Sequence, residues 1–296
     1  MAKDIIIGGA SGYDWDKLKY WVNSIKQTGF KGDIVVVATN MSADTIKKLK
    51  ENGVIIYAYG KNDDQGNIVN ESKNAPHVER FIYIWDYLRN NKDTYRYVVV
   101  TDTRDVIFQR DPVEFLSKHL FANSIVCSSE GLLYKDEPWG NKNLLDTFGP
   151  LIYDELKDNL IYNVGTIAGF YEEVTDLLLH IFTMSINRPI PIVDQAVFNF
   201  LVSHHPYKDE VMKSTNESDW AIQLGTTRRA IESGAGDIGM IVSQNPGLID
   251  KYMEMYQDIQ PKLDGEAVTN GYVPYNIVHQ WDRVPEIKDM VEKLYG

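Results

Sequence analysis

Residues 95–112 read YRYVVVTDTRDVIFQRDP. The stretch begins as a buried strand, with Val98, Val99 and Val100 consecutive and β-branched. Asp102, Thr103, Arg104 and Asp105 interrupt it, and an apolar run resumes at Val106, Ile107 and Phe108 before Asp111-Pro112 closes it. An unpaired buried carboxylate costs several kcal/mol. Two acids in such a place need a metal ion, an ion pair with Arg104, or exposure at the mouth of a cleft. On a straight strand, positions 102 and 105 face opposite sides. Their side chains converge only if the chain turns at Thr103-Arg104.

Upstream, strand and helix patterns alternate. DIIIGGASG reads as a strand running into a glycine-rich loop, and DWDKLKYWVNSIKQTG as a helix with Asp14 at its N-cap. DIVVVATN, then SADTIKKLKENG with Ser42 as cap, then VIIYAYG, repeat the alternation; HVERFIYIWDYLRNN supplies the helix before the opening stretch. This order predicts an α/β fold with a doubly wound, mostly parallel sheet flanked by helices. Ligands of such sheets sit beyond the carboxyl ends of the strands, where both GGASG and TDTRD fall. Downstream the pattern is less regular. SIVCSSE reads as a strand, EEVTDLLLHIFTMSI and VDQAVFNFLVSHH as helices, and VPEIKDMVEKLYG as a last helix. No internal repeat, low-complexity tract or linker divides the chain, so one domain over 1–296 is expected.

Composition narrows the function. Of 296 residues, 44% are hydrophobic and 24% charged, as in an ordinary globular protein. The net charge of −12 argues against nucleic acid, whose phosphates require a basic surface. The single cysteine, Cys127, forms no internal disulfide, which fits a reducing compartment. No apolar run approaches a transmembrane length. The first strand begins at Asp4 and leaves no room for a signal peptide. A cytoplasmic location is the expectation.

Several residues carry possible chemistry. Asp102 and Asp105 are hard oxygen ligands suited to Mg²⁺ or Mn²⁺. His279, in YNIVHQWDR, is either a satisfied core histidine or a third ligand, and one imidazole beside two carboxylates favours Mn²⁺. Gly8, Gly9 and Gly12 either let the chain pass close to a nucleotide or make a tight turn; they do not spell GxGxxG. The Asn163–Gly169 segment, NVGTIAG, is either a bulged core strand or a contact to a polyhydroxyl ligand. Asp194, before Gln195, either caps a helix or accepts from ligand hydroxyls. Arg80 and Arg104 suit a diphosphate, though Arg80 would equally suit a helix surface. His204-His205 reads as solvated surface.

The order of these elements resembles the GT-A-fold glycosyltransferases, which use nucleotide-diphosphate sugars. The resemblance spans nearly the whole chain and rests on the N-terminal strand–glycine–helix, VVVTDTRDVIFQRDP, YNVGTIAG, VDQAVFNFLV and IVHQWDR. It implies a nucleotide-binding half, 1–112, and a sugar- and acceptor-binding half, 113–296. It implies metal ligation by Asp105, Asp102 and His279, and donor contacts from Gly8, Gly9, Ala10, Arg80, Asp102, Thr103, Arg104, Asn163 and Gly165. Asp194 and Gln195 then stand at the sugar as catalytic residues, with Glu130, Asp136 and Trp139 toward the acceptor. The implied reaction is sugar transfer from a nucleotide donor, UDP by family habit, to a hydroxyl acceptor such as a glycan, by a retaining rather than an inverting course. This chain departs from the family's Asp-x-Asp: counted from Asp111-Pro112, Thr103 takes the first acid's place and Asp102 precedes it. That departure keeps a non-catalytic nucleotide- or carbohydrate-binding module in view. A sugar-phosphate nucleotidyltransferase is the other rival, although GGASGYDWDKLK has no arginine beside its glycines.

Overall fold

The computed structural model describes residues 2–296. The chain opens with β1 (Lys3–Ser11), α1 (Trp15–Gln27), β2 (Asp33–Thr39), α2 (Ala43–Glu51) and β3 (Ile55–Ala58). A small hairpin, β4 (Lys61–Asn62) and β5 (Ile68–Val69), precedes α3 (Pro76–Asn90). Next come β6 (Tyr95–Thr101), β7 (Val106–Phe108), α4 (Pro112–His119) and β8 (Ile125–Leu133). They are followed by α5 (Pro138–Phe148), α6 (Pro150–Leu156), β9 (Leu160–Tyr162), β10 (Thr166–Phe170), α7 (Tyr171–Ser185) and α8 (Asp194–Ser203). The remainder holds β11 (Val211–Ser214), β12 (Ala221–Gln223), α9 (Arg228–Glu232), α10 (Gly236–Gln244), α11 (Ile249–Met255), β13 (Lys262–Asp264), β14 (Ala267–Thr269), β15 (Ile277–His279) and α12 (Pro285–Tyr295). Among the described residues no helix is long and apolar enough to cross a membrane.

The main sheet runs β11-β8-β10-β6-β1-β2-β3, with β9 also paired to β8. β6, β1, β2 and β3 are parallel, β10 is antiparallel to both β6 and β8, and β11 is parallel to β8. Strands from both halves of the chain therefore share one sheet. Its central strands are apolar without alternation because both faces are covered. Ile5, Ile7, Val35, Val37, Val98 and Val100 pack on the side of α3 and α7; Ile6, Val36 and Val99 pack on the other side, with Leu18, Trp21 and Ile25 of α1. The expected caps hold: the Asp14 carboxylate accepts from Lys17 N–H, and Ser42 Oγ from Thr45 N–H.

Two expectations change. GGASG is not a loop: Gly8, Gly9 and Ala10 are inside β1. The opening stretch is not one interrupted strand but two strands in two sheets. β6 is central in the main sheet, whereas β7 joins a three-stranded sheet, β12-β15-β7, covered by α12. The chain changes sheets over 102–105, and the four polar residues occupy the bend. Trp21 Nε1–H, donating to Thr101 Oγ1 at 2.9 Å, fixes the end of β6 against α1.

The glycines of β1 serve this bend. A Cβ on Gly8 would stand 2.4 Å from Thr103 Cγ2 and 2.6 Å from the Thr101 carbonyl oxygen; one on Gly9 would stand 2.8 Å from Arg80 Cβ. Gly8→Ala therefore pushes against backbone that cannot move cheaply. The expected loss is about 1–3 kcal/mol of unfolding free energy, read from the urea midpoint at unchanged slope.

Candidate active site and metal centre

A cavity of about 700 Å³ opens at the carboxyl ends of β1 and β6. These strands are neighbours, but β2 and β3 lie on one side of the pair and β10 and β8 on the other, so this is where the strand order reverses. Ligands of doubly wound sheets bind at such a point.

Asp102, Asp105 and His279 meet on its floor. One ligand atom from each lies within 4.8 Å of the others. His279 Nε2 is 3.5 Å from Asp102 Oδ2 and 3.6 Å from Asp105 Oδ1, too far for good hydrogen bonds. The bend at 102–105 brings the acids together, and β15, antiparallel to β7, sets His279 opposite Val106. His279 is 2% exposed and Asp105 6%, so a bare cluster would be costly. Gly165 walls it closely: a Cβ there would meet His279 Cε1 at 2.7 Å and Asp102 Oδ2 at 2.9 Å. Two carboxylate oxygens and an imidazole nitrogen with an open centre fit a divalent cation of the Mn²⁺ or Mg²⁺ class, the imidazole favouring Mn²⁺. Burial would raise the Asp105 carboxyl, but the His279 ring and the Arg104 and Arg283 guanidinium groups outweigh it and hold the acid below the usual carboxylate range.

Arginines complete the floor. Arg80, from α3, pairs with Asp102 and, at 3.2 Å, with Asp194. Arg104 pairs with Asp105 at 2.7 Å and Asp282 at 2.8 Å. Asp194 is not a cap. Val193 occupies that place, and the Asp194 carboxylate turns into the cleft.

Two solved structures share this architecture. The apo structure of the bifunctional glycosyltransferase WbbM superposes on 99% of this chain with a TM-score of 0.56 and 14% identity. The galactosyltransferase LgtC, in complex with donor and acceptor sugar analogues, superposes on 99% of it with a TM-score of 0.50 and 11% identity, over 96% of its own length. The fold is the GT-A glycosyltransferase fold. The chain spans about half of WbbM, 49% of its length. It matches no family profile and no curated protein.

Within this GT-A fold the remaining expected residues divide. Gly9, Ala10, Thr103, Arg104, Asn163, Gly165 and Gln195 line the cleft; Gly8 lies beneath it, against Thr103. Thr103 spends its hydroxyl proton on the Gly9 carbonyl at 3.0 Å. Asn163 spends both ends of its amide locally, donating to Glu130 Oε1 and accepting from Gly165 N–H, each at 2.7 Å. Both residues shape the floor rather than offer it a free group. On the far wall Glu130 and Trp139 are present, but Asp136 does not reach the cleft and its neighbour Glu137 does. His204 is not free surface. Its ring stacks on Phe200, and its Nε2 is 3.0 Å from Glu155.

Sequence reasoning missed Glu137, Arg283, Asp237 and Gln280, all in the lining, and Gln223 behind His279. Arg283 had a signal, a second cation four residues after His279. Gln223 had none.

Glu137 also carries a pH dependence. Burial, then the charge of Glu130, push its carboxyl up to about 7, against the pull of the Gly140 and Trp139 N–H groups. An unfolded glutamate titrates near 4.5. The native state therefore binds more protons between these values, and stability is lost as pH rises through that window. The contribution is on the order of 3 kcal/mol. Urea unfolding at pH 5 and pH 8 should show it in the native protein and lose most of it in Glu137→Gln.

Proposed function

We propose that this chain is a glycosyltransferase that moves a hexosyl or pentosyl unit from a nucleotide-diphosphate sugar, UDP-linked, to a hydroxyl acceptor such as a glycan, with Mn²⁺ (or Mg²⁺) held by Asp102, Asp105 and His279. The observation that carries this reading is the convergence of those three ligands at the reversal point of a GT-A sheet. The Asp-x-x-Asp spacing, which favoured a non-catalytic module, does not keep the ligands apart. Charge balance points the same way. The cleft lining holds seven carboxylates and three arginines and no lysine. Such a lining repels a polyanionic diphosphate unless a cation joins it.

The bound cation would supply Lewis-acid stabilisation of the departing diphosphate. Arg104 and Arg283 add charge-assisted hydrogen bonds to the same group. Arg283 is the less committed of the two, its only ion pair among the described residues being with Asp282 at 3.4 Å. Asp194 and Gln195 hold the sugar's hydroxyls, and Asp194 faces the positive charge that grows on the ring as the anomeric C–O bond lengthens. We assign a retaining course. The bonding electrons leave with the phosphate oxygen, the acceptor oxygen bonds to the anomeric carbon on the same face, and its proton passes to the departing phosphate. Trp139, 41% exposed at the rim, offers an aromatic face to the acceptor. The sugar end lies toward α8 and the acceptor end toward α5 and α10.

Calorimetric titration of UDP and of GDP, with Mn²⁺ and then with EDTA, tests the reading. UDP should bind only with the metal, and Asp105→Ala and His279→Ala should abolish that binding. Arg283→Ala should weaken it about 10–100-fold with an unchanged melting temperature. Binding that ignores EDTA, or no nucleotide binding at all, would overturn the donor site.

A further inference from the structure

Behind His279, on the side away from the acids, lies Gln223. It ends β12 as His279 ends β15, and the two residues are register partners in the small sheet. Gln223 is 1% exposed. Its Nε2 is 2.6 Å from Ser128 Oγ and 2.8 Å from Thr166 Oγ1. These hydroxyls belong to β8 and β10 of the main sheet and are themselves fully buried. Its Oε1 is 2.6 Å from His279 Nδ1. One amide thus ties the two sheets together directly beneath the metal centre.

We infer that Gln223 is a positioning residue: by accepting from Nδ1–H it fixes the proton of His279 on that nitrogen and leaves Nε2 as the ligand. This rests on the cation reading above. Three observations carry it. First, the structure sets Nε2 of Gln223 within 2.8 Å of two hydroxyls, both able to accept, and its carbonyl oxygen 2.6 Å from the ring. Second, a carbonyl oxygen only accepts, so the nitrogen opposite must bear hydrogen. Third, the other ring nitrogen makes no short contact to either acid, at 3.5 and 3.6 Å. That nitrogen is the one that faces Asp102 and Asp105, so it is the one that a cation between them would meet. The opposite orientation would pair amide N–H with Nδ1 and put a proton on Nε2, where it blocks ligation.

The consequence is chemical as well as geometric. A ring whose far N–H is held by an acceptor is both oriented and more basic at the ligating nitrogen, and loss of such a partner commonly costs 10–100-fold in metal affinity. The same hydrogen bonds explain why a polar side chain is tolerated at a site with no solvent. Every polar atom of the Gln223 amide has a partner.

The test uses the metal-free protein and two variants. Long-range ¹⁵N–¹H spectra at pH 9, well above the ordinary imidazole value of about 6.5, report which ring nitrogen carries the proton, with His279→Asn identifying the signal. Mn²⁺ alone is titrated and followed by loss of the free-ion EPR signal. The wild type should show Nδ1–H. Gln223→Leu, which cannot accept, should lose that preference and bind Mn²⁺ about 10–100-fold more weakly. Gln223→Glu, which still accepts while the Ser128 and Thr166 hydroxyls turn to donate, should restore both. A wild-type ring in the Nε2–H form, or Gln223→Leu with wild-type Mn²⁺ affinity, would overturn the assignment. So would Gln223→Glu that folds and binds no better than Gln223→Leu. If Gln223→Leu does not fold, the wild-type tautomer and the Gln223→Glu affinity decide alone. A wild type that takes up no Mn²⁺ while its ring stands as Nδ1–H would overturn the cation reading instead, so the two failures are distinguishable.

Discussion

The mutual repulsion of Asp102 and Asp105, set three positions apart in a partly buried bend, is the constraint around which the cleft is arranged. Two ionised carboxylates do not share a site without cations. Every nearby element supplies one or makes room for one. Arg80 comes from α3 and Arg104 from the bend itself, while His279, from a strand of the second sheet, faces the space between the acids. Room comes from glycines. Gly9 admits Arg80 and Gly165 admits the His279 ring. Each glycine gives up side-chain packing and adds backbone entropy cost of about 1 kcal/mol. That cost is tolerated only where close approach is needed, and here it clusters around one bend.

Most of the main sheet was legible because its signals are local. Ile5–Ile7, Val35–Val37 and Val98–Val100 are continuous apolar triplets, each next to a helix in sequence, and the first two helices carry readable caps at Asp14 and Ser42. A strand buried on both faces must look like this. The second sheet was not legible. β7, β12 and β15 are three residues each, too short for any period to register, and they pair across more than fifty residues of sequence. The glycines of β1 misled in the opposite direction. Glycine is read as punctuation, but Gly8 and Gly9 stay in the strand because the helix and bend packed against them leave no space for a Cβ.

At the site, charge type was legible and partnership was not. Asp105, Asp102, His279 and Asp194 stood out because acids and a histidine in apolar surroundings demand a reason. Thr103 and Asn163 stood out by position, yet the structure turns their hydrogen-bonding groups inward. Glu137 sat one residue beyond Asp136, at an N-cap whose amides aim its carboxylate into the cleft. Gln223 is the limiting case. A glutamine at the end of a three-residue strand is unremarkable until the register of β12 with β15 places it behind His279.

Arg80 joins these pieces into one electrostatic unit. Its guanidinium pairs with Asp102 through one terminal nitrogen and Asp194 through the other, and 14% of its side chain is exposed. Under the proposed reading, Asp102 would gain a second partner on the side away from Arg80, and its claim on Arg80 would relax. The released charge would then be free to meet a donor's diphosphate, while the pair with Asp194 would hold that carboxylate in the cleft. Metal and donor would then favour one another without any movement of the sheet, because the groups that exchange partners are already ion-paired and largely desolvated. An exchange of partners inside a buried network costs far less than bringing each charge out of water separately. The same network explains why a cleft so rich in carboxylates is compatible with a folded protein before any ligand arrives.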